Sequence, residues 1–261
     1  MLAGARLVDL SATIELSPAG TPEWQRTDIE YRDHSDGAAE LAENFGAPAH
    51  LLRLGEGPAT EVFTRFGTHN STHVDAPRHY NSVIEGRPAR AIDDLPLEWF
   101  VGPGVVLDAT RRDDGQVIEP RDLEQALRAI GHEIRPGDIV LIRTGCDAYY
   151  GDADYAARGP GVSPEATLWL YDRGVRVMGI DAWGWDPPLR FQVPEAVAQD
   201  RRGVIWGAHQ IDREYAQIER MVNLAGVPSL GALIITLPLK VENGSAGPTR
   251  AVALIVDERA G

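Results

Sequence analysis

Apolar runs separated by polar breaks divide the central half of this chain into recognisable elements. "GVVLDAT" (104–110), "DIVLIRTG" (138–145) and "VRVMGID" (175–181) are continuous apolar and β-branched runs, the pattern of strands buried on both faces. Between them, "EPRDLEQALRAIG" has helical periodicity that sets Leu123, Ala126, Leu127 and Ile130 on one face. "SPEATLWLYDRG" offers Ser163 as N-cap, Pro164 at the first helical position and Gly174 as the stop. This alternation of strand and helix predicts an α/β fold. "RLVDLSA" near the start and "GALIITLPL" (231–239) and "TRAVALIVD" (249–257) near the end add strands. Asn243-Gly244 lies between the last two and is a hairpin-turn signal, so they are expected to pair antiparallel. The result is a mixed sheet, or a second sheet beside the first.

Residues 17–60 lack clear periodicity and carry Pro18, Gly20, Pro22, Gly37 and Gly46-Ala-Pro48. One short helix is predicted there, "DGAAELAENFG", closed by Gly46. Such a stretch is expected to be a lid, an oligomer contact or a surface excursion. No linker divides the chain, and residues 1–261 are expected to form a single domain with mixed β-sheets and flanking helices.

Composition narrows the function classes. The formal charge is −14, from 25 basic and 39 acidic residues. Such a chain repels a phosphate backbone, and Arg111-Arg112 is at once followed by Asp113-Asp114, so nucleic acid and anionic membrane are expected to be poor partners. No apolar run reaches the ~18 residues of a membrane span, and "MLAGARLVDLSATIEL" lacks the apolar stretch of a secretory signal. Cys146 is the only cysteine, which fits a cytoplasmic protein without disulfides. No partner base for that thiol is visible, so a buried or incidental cysteine is the expectation. Gly102-Pro-Gly104 and Gly67 do not make a phosphate-binding loop.

The chemistry is concentrated in "FGTHNSTHVDAPRHY" (66–80). Three of the seven histidines, His69, His73 and His79, fall within eleven residues, with Asp75 among them. Imidazole and carboxylate together are ligands for zinc, manganese or iron. In a strand, His73 and Asp75 share a face ~6.6 Å apart, while His69 is ~20 Å from Asp75. In a helix, His69 and His73 align but Asp75 does not. The chain must therefore bend between His69 and His73, where Asn70-Ser71 is turn-compatible. Pro77 supplies a second bend that aims His79 back. His34, His50 and His132 are expected to be ordinary surface or hydrogen-bonded residues.

H69-N-S-T-H73-V-D75-A-P77-R-H79 resembles the HxGTHxDxPxH signature of the cyclase superfamily of metal-dependent hydrolases, which includes bacterial kynurenine formamidase and isatin hydrolase. "LVDLS", "GPGVVLD", "PGDIVLIRTG", "GIDAWGWD" and "IERMVNLAGVPSLGALIITLPLKVENGSAGPTRAVAL" are similar to it as well. Ser71 stands where the family usually has Gly and adds a hydroxyl near the metal. The resemblance implies a swivelling β/α/β fold and a first metal on His69, His73 and Asp75, with Asp75 able to bridge to a second. His209 and Glu219 are the implied ligands of that second site, at a spacing shorter than in kynurenine formamidases. "DAWGWD" looks closer to isatin hydrolases, whose site resembles one manganese held by the three motif residues. One or two divalent ions, Mn2+ or Zn2+, are thus implied, as is a homo-oligomer.

His79 is the candidate general acid–base; its alternative is to orient a ligand or Asp75. Trp183, Trp185, Trp24, Tyr31 and Tyr80 would suit a flat aromatic substrate, or else pack a core or oligomer contact. Asp181 and Asp186 would cap or orient. The leading expectation is hydrolysis of a small cyclic or formyl amide by metal-activated water. The alternatives are a metal-dependent cyclase or dehydratase in small-molecule biosynthesis, and a non-catalytic metal or small-molecule binder.

Overall fold

A computed structural model describes residues 4–19 and 21–256. Gly20 and Asp257, each part of a predicted segment, lie outside the described residues. The chain packs as two compact units: 13–70, and residues before 13 together with those from 71 onward.

The larger unit is built on one mixed sheet. Its strands in chain order are β1 (Ala5–Asp9), β2 (His73–Asp75), β3 (Val101–Asp108), β4 (Ile139–Arg143), β5 (Val177–Ile180), β6 (Ala216–Glu219), β7 (Ala232–Ile235), β8 (Ala246–Pro248) and β9 (Val252–Val256). They lie in the order β1-β9-β7-β3-β4-β5-β6-β2-β8. β3, β4, β5 and β6 run parallel, and antiparallel strands flank them on both sides. This is the mixed α/β architecture expected from the alternating elements. The parallel strands are buried on both faces, because Val105, Leu107, Val140, Ile142, Met178 and Ile180 join one core and Val106, Ile139, Leu141 and Val177 the other.

β7 and β9 pair antiparallel as expected. They are not a simple hairpin: the chain after Asn243-Gly244 first forms β8, which pairs with β2, the strand of the histidine motif. Gly102 and Gly104 serve packing. A Cβ on Gly104 would lie 2.7 Å from the Ile234 side chain, and one on Gly102 would lie 2.5 Å from the Gly137 carbonyl.

With α1 (His34–Phe45) assigned to the smaller unit, the helices of the larger are α2 (Pro77–Tyr80), α3 (Pro120–Ile130), α4 (Pro164–Asp172) and α5 (Leu189–Gln199). α3 starts with a reciprocal cap between Glu119 and Asp122 and ends on Gly131 in the left-handed region. It buries Leu123 and Leu127, each worth about 1.5–3 kcal/mol. α4 is capped by Ser163 as predicted. α5 has no counterpart in the sequence reading. Pro194 sits inside it, and Leu189, Phe191, Val193 and Val197 remain substantially exposed, so no clean apolar stripe announces it.

The smaller unit contains α1 and an antiparallel pair, Asp28–Arg32 with Thr60–Arg65. Asp33 caps α1 through a capping box, and Gly46 ends it in the left-handed region, the stop foreseen from sequence. Gly37 and Gly57 are required by close backbone approach, since a Cβ on Gly37 would sit 2.1 Å from the Pro58 carbonyl oxygen. Trp24, Phe45, Leu51, Leu54 and Phe63 are exposed. No helix among the described residues is long and apolar enough to cross a membrane.

Candidate metal centre

The stretch 66–80 bends as its spacing requires. His69 lies in a turn near the end of the smaller unit, residues 70–72 form a bend, and His73 opens β2. In β2, His73 and Asp75 occupy alternate positions and share a face, and both are fully buried. Ala76 is extended and Pro77 takes the first position of α2, so His79 returns toward Asp75.

The rest of the cluster comes from distant sequence. β2 pairs antiparallel with β6 in a register that sets His73 opposite Glu219 and Asp75 opposite Gln217. His73 Nε2 lies 3.1 Å from Asp75 Oδ1 and 3.8 Å from Glu219 Oε2. His209 Nε2 is 3.3 Å from Glu219 Oε1 and 4.0 Å from Asp75 Oδ2. Ligand atoms of Asp75, His79 and His209 all lie within 4.8 Å of one another. Thus His73, Asp75, His79, His209 and Glu219 converge in the larger unit, although His209 stands close before Glu219 in the sequence.

Outer contacts decide which nitrogen faces inward. His73 Nδ1 donates to the Ser71 carbonyl at 2.7 Å, leaving Nε2 toward the carboxylates. The Ser71 hydroxyl donates to the Ala12 carbonyl at 3.2 Å. His209 Nδ1 donates to Asp186 Oδ2 at 2.5 Å, and Asp186 also accepts the backbone N–H groups of Ala208 and His209. Asp186 therefore holds the ring and its backbone together. The Trp185 N–H donates to Glu219 Oε1 at 2.9 Å. Beneath the cluster, Tyr80 Oη donates to the Tyr215 carbonyl, Tyr215 Oη to the Ala208 carbonyl, and Gln217 Nε2 to Tyr215 Oη.

Charge explains why these groups assemble. Burial works to lower the His209 pKa, but its bonds to Asp186 and Glu219 overcome this and hold it at about 10. Burial and the neighbouring Asp75 push Glu219 up, and His209 with His73 more than reverse this, leaving it below the ordinary value. Two buried carboxylates this close need positive charge between them. Several imidazoles with two carboxylates form a donor set suited to a divalent ion of the zinc or manganese type, so these residues fit the implied metal. A protonated His209 would supply such charge in the absence of an ion, and a bound divalent ion would supply it in its place.

The aromatic residues divide. Trp185 is fully buried and donates Nε1–H to Thr167 Oγ1, and Tyr80 is buried, so both belong to the core. Trp206 stacks on His209 and stands 5.4 Å from His79, ring centre to ring centre. Trp183 is half-buried, while Trp24 and Tyr31 are exposed. Sequence reasoning did not single out Trp206, Tyr215, Gln217 or Arg220, and assigned Asp186 no chemistry. The run "DAWGWD" and the neighbours of Glu219 were the only signals available. Cys146 is buried and its thiol is pushed up to about 11 by burial, consistent with an inert thiol. His132 is paired with Asp138 at 2.8 Å, and His34 bonds the Gly57 carbonyl, as ordinary histidines do.

Comparison with known proteins agrees with this reading. Residues 8–187 match the family model described as "Putative cyclase". Kynurenine formamidase of Salinibacter ruber is 32% identical over 188 residues, covering 72% of this chain and 76% of that protein. Isatin hydrolase of Roseibium aggregatum is 29% identical over 208 residues, 72% of each. Among solved structures, isatin hydrolase A from Ralstonia solanacearum has a TM-score of 0.70 at 25% identity, covering 97% of this chain and 93% of that one. An isatin hydrolase bound to the product analogue thioisatinate has a TM-score of 0.71 at 21% identity, covering 98% and 94%, a likeness of fold. With most of its length matched by the family model and named hydrolases among its relatives, this chain belongs to the cyclase family and is a hydrolase of that family.

Proposed function

We propose that this protein hydrolyses a small cyclic or N-formyl amide, of the isatin or formylkynurenine kind, with Mn2+ or Zn2+ as cofactor. The observation that carries the reading is the register of β2 against β6, which joins His73 and Asp75 to Glu219 in one buried, acid-rich cluster. Two named relatives, an isatin hydrolase and a kynurenine formamidase, support the substrate class. His73, Asp75, His209 and Glu219 would hold the ion, and motif spacing adds His69 as a further ligand. When bound, a divalent ion there lowers the pKa of water to about 7 and polarises a carbonyl oxygen.

The chain's own groups supply the rest. An imidazole nitrogen of His79 takes a proton from the attacking water and returns it to the amide nitrogen, a poor leaving group unless protonated. Trp206, packed beside His79 and stacked on His209, restricts both rings. The exposed apolar side chains Trp24, Phe45, Leu51 and Phe63 of the smaller unit support a homo-oligomer, and the single buried thiol suits the cytoplasm.

The test is elemental analysis of the purified protein followed by assays of isatin and N-formylkynurenine with and without chelator. Bound Mn or Zn and chelator-sensitive turnover of either compound, with solvent ¹⁸O in the product, are expected. A metal-free, active enzyme would overturn the reading. His79→Ala should cost ~10²–10⁴-fold in kcat while leaving the metal content near that of the wild type. Loss of metal in that variant would make His79 a ligand instead.

A further inference from the structure

Arg220, directly after Glu219, has no role in the chemistry above, yet its placement is doubly unfavourable. Its φ is +57°, in the left-handed region that side chains larger than Asn rarely adopt. It is also only 7% exposed, so a guanidinium has been withdrawn from water. The backbone is pinned there: its N–H donates to the Ala182 carbonyl at 3.0 Å, and its carbonyl accepts the Thr72 hydroxyl at 2.6 Å.

The guanidinium is held without an ion pair among the described residues. Its carbon lies 4.9 Å from the centre of the Trp183 ring, and Nε reaches the Trp183 carbonyl at 3.5 Å. Among the described residues no carboxylate stands within ion-pair distance of it, and neither Nη has a hydrogen-bond partner. Residues 182–185 hold both neighbours, since Ala182 accepts the Arg220 N–H and Trp185 donates to Glu219. Burial lowers the Arg220 pKa, while Glu219 and Asp75 act to raise it.

A planar guanidinium stacked on an indole leaves its Nη edge for a planar oxygen pair. We infer that Arg220 and Trp183 form a carboxylate-binding subsite beside the metal cluster, so that the preferred ligand is a small conjugated amide bearing a carboxylate, or the acid its hydrolysis releases. The inference rests on the amide-hydrolase reading but is tested apart from it.

The experiment compares wild type, Arg220→Gly and Arg220→Lys, using benzoate as probe in calorimetric titrations and measuring Tm and metal content. Glycine suits φ +57°, so Arg220→Gly should keep or raise Tm, keep its metal, and bind benzoate about tenfold or more weakly. Arg220→Lys keeps the charge, loses the planar fork, and should fall between. Paired substrates then separate the two sources. If the substrate carries the carboxylate, Arg220→Gly raises KM for N-formylanthranilate and leaves that for formanilide alone. If hydrolysis creates it, neither KM moves and inhibition by the released acid weakens. Benzoate affinity within about twofold of wild type in Arg220→Gly overturns the subsite, as does a wild type that binds no benzoate. A fall in Tm of more than about 5 °C in both variants shows a structural role and overturns it too. If the protein binds no metal, the hydrolase reading fails while the benzoate comparison still decides the subsite.

Discussion

Asp181 and Asp75 are both fully buried in the larger unit, one just after β5 and the other at the end of β2, yet they are satisfied in opposite ways. Asp181 accepts the Thr144 N–H at 2.7 Å, the Thr144 hydroxyl at 2.5 Å and the Gly145 N–H at 2.8 Å. Its partners are donors whose protons cannot leave at neutral pH. Asp75 instead faces imidazole nitrogens of His73 and His209, with Glu219 close by. Imidazole can exchange its proton for an ion. Equal burial of the same residue type therefore builds a strand-end brace in one place and a candidate metal centre in the other. What distinguishes them is whether the partners' protons are exchangeable.

Three substitutions sharpen that contrast. Asp75→Asn should have the largest effect, lowering turnover by about 10³-fold or more and abolishing bound metal, because the carboxylate at the centre of the cluster is gone. Elemental analysis with single-substrate kinetics checks this, and full metal retention would remove Asp75 from the proposed centre. Asp186→Asn should be intermediate. It frees the His209 ring without touching the cluster, and a loss of about 10–100-fold in metal affinity is expected from competition with a chelating dye. Metal affinity equal to wild type would mean that Asp186 acts only on the loop backbone.

Asp181→Asn should have the smallest effect on function. It places an amide NH2 against donors and should cost about 1–3 kcal/mol in stability, with metal content and kcat per folded molecule unchanged. The pH dependence has a definite sign. Burial raises the Asp181 carboxyl to about 6, against the donors that hold it down. A native pKa above the unfolded value means the folded state binds the proton more tightly. The contribution of this group is then greatest below the unfolded pKa and is lost as pH rises through about 6. Denaturant unfolding should show the stability gap between wild type and Asp181→Asn widening as pH falls from about 7 to 5. A gap that narrows over that range would show the carboxylate to be favoured by its donors after all.

Short-range pattern made much of this legible. The parallel strands β3, β4 and β5, with α3, α4 and the capped α1, follow from local periodicity and capping residues, each of which acts within a turn or two of chain, whereas the parallel strand β6 was not foreseen. The bend before His73 and the return after Pro77 follow likewise from turn chemistry within 66–80. α5 escaped because Pro194 and its scattered apolar positions obscure the period. Asn243-Gly244 was read correctly as a turn, but the strand it leads into pairs with β2, which no local signal indicates.

The sequence by itself determined which residues could bind an ion and that His73 and Asp75 would share a strand face, because alternation and proline geometry act over a few residues. Only the tertiary structure decided that Glu219 lies opposite His73, that Asp186 turns the His209 ring inward, and that Arg220 is buried against Trp183. Those outcomes depend on the order and register of strands far apart in the chain, where hydrogen-bond pairing and the packing of whole faces choose the neighbours.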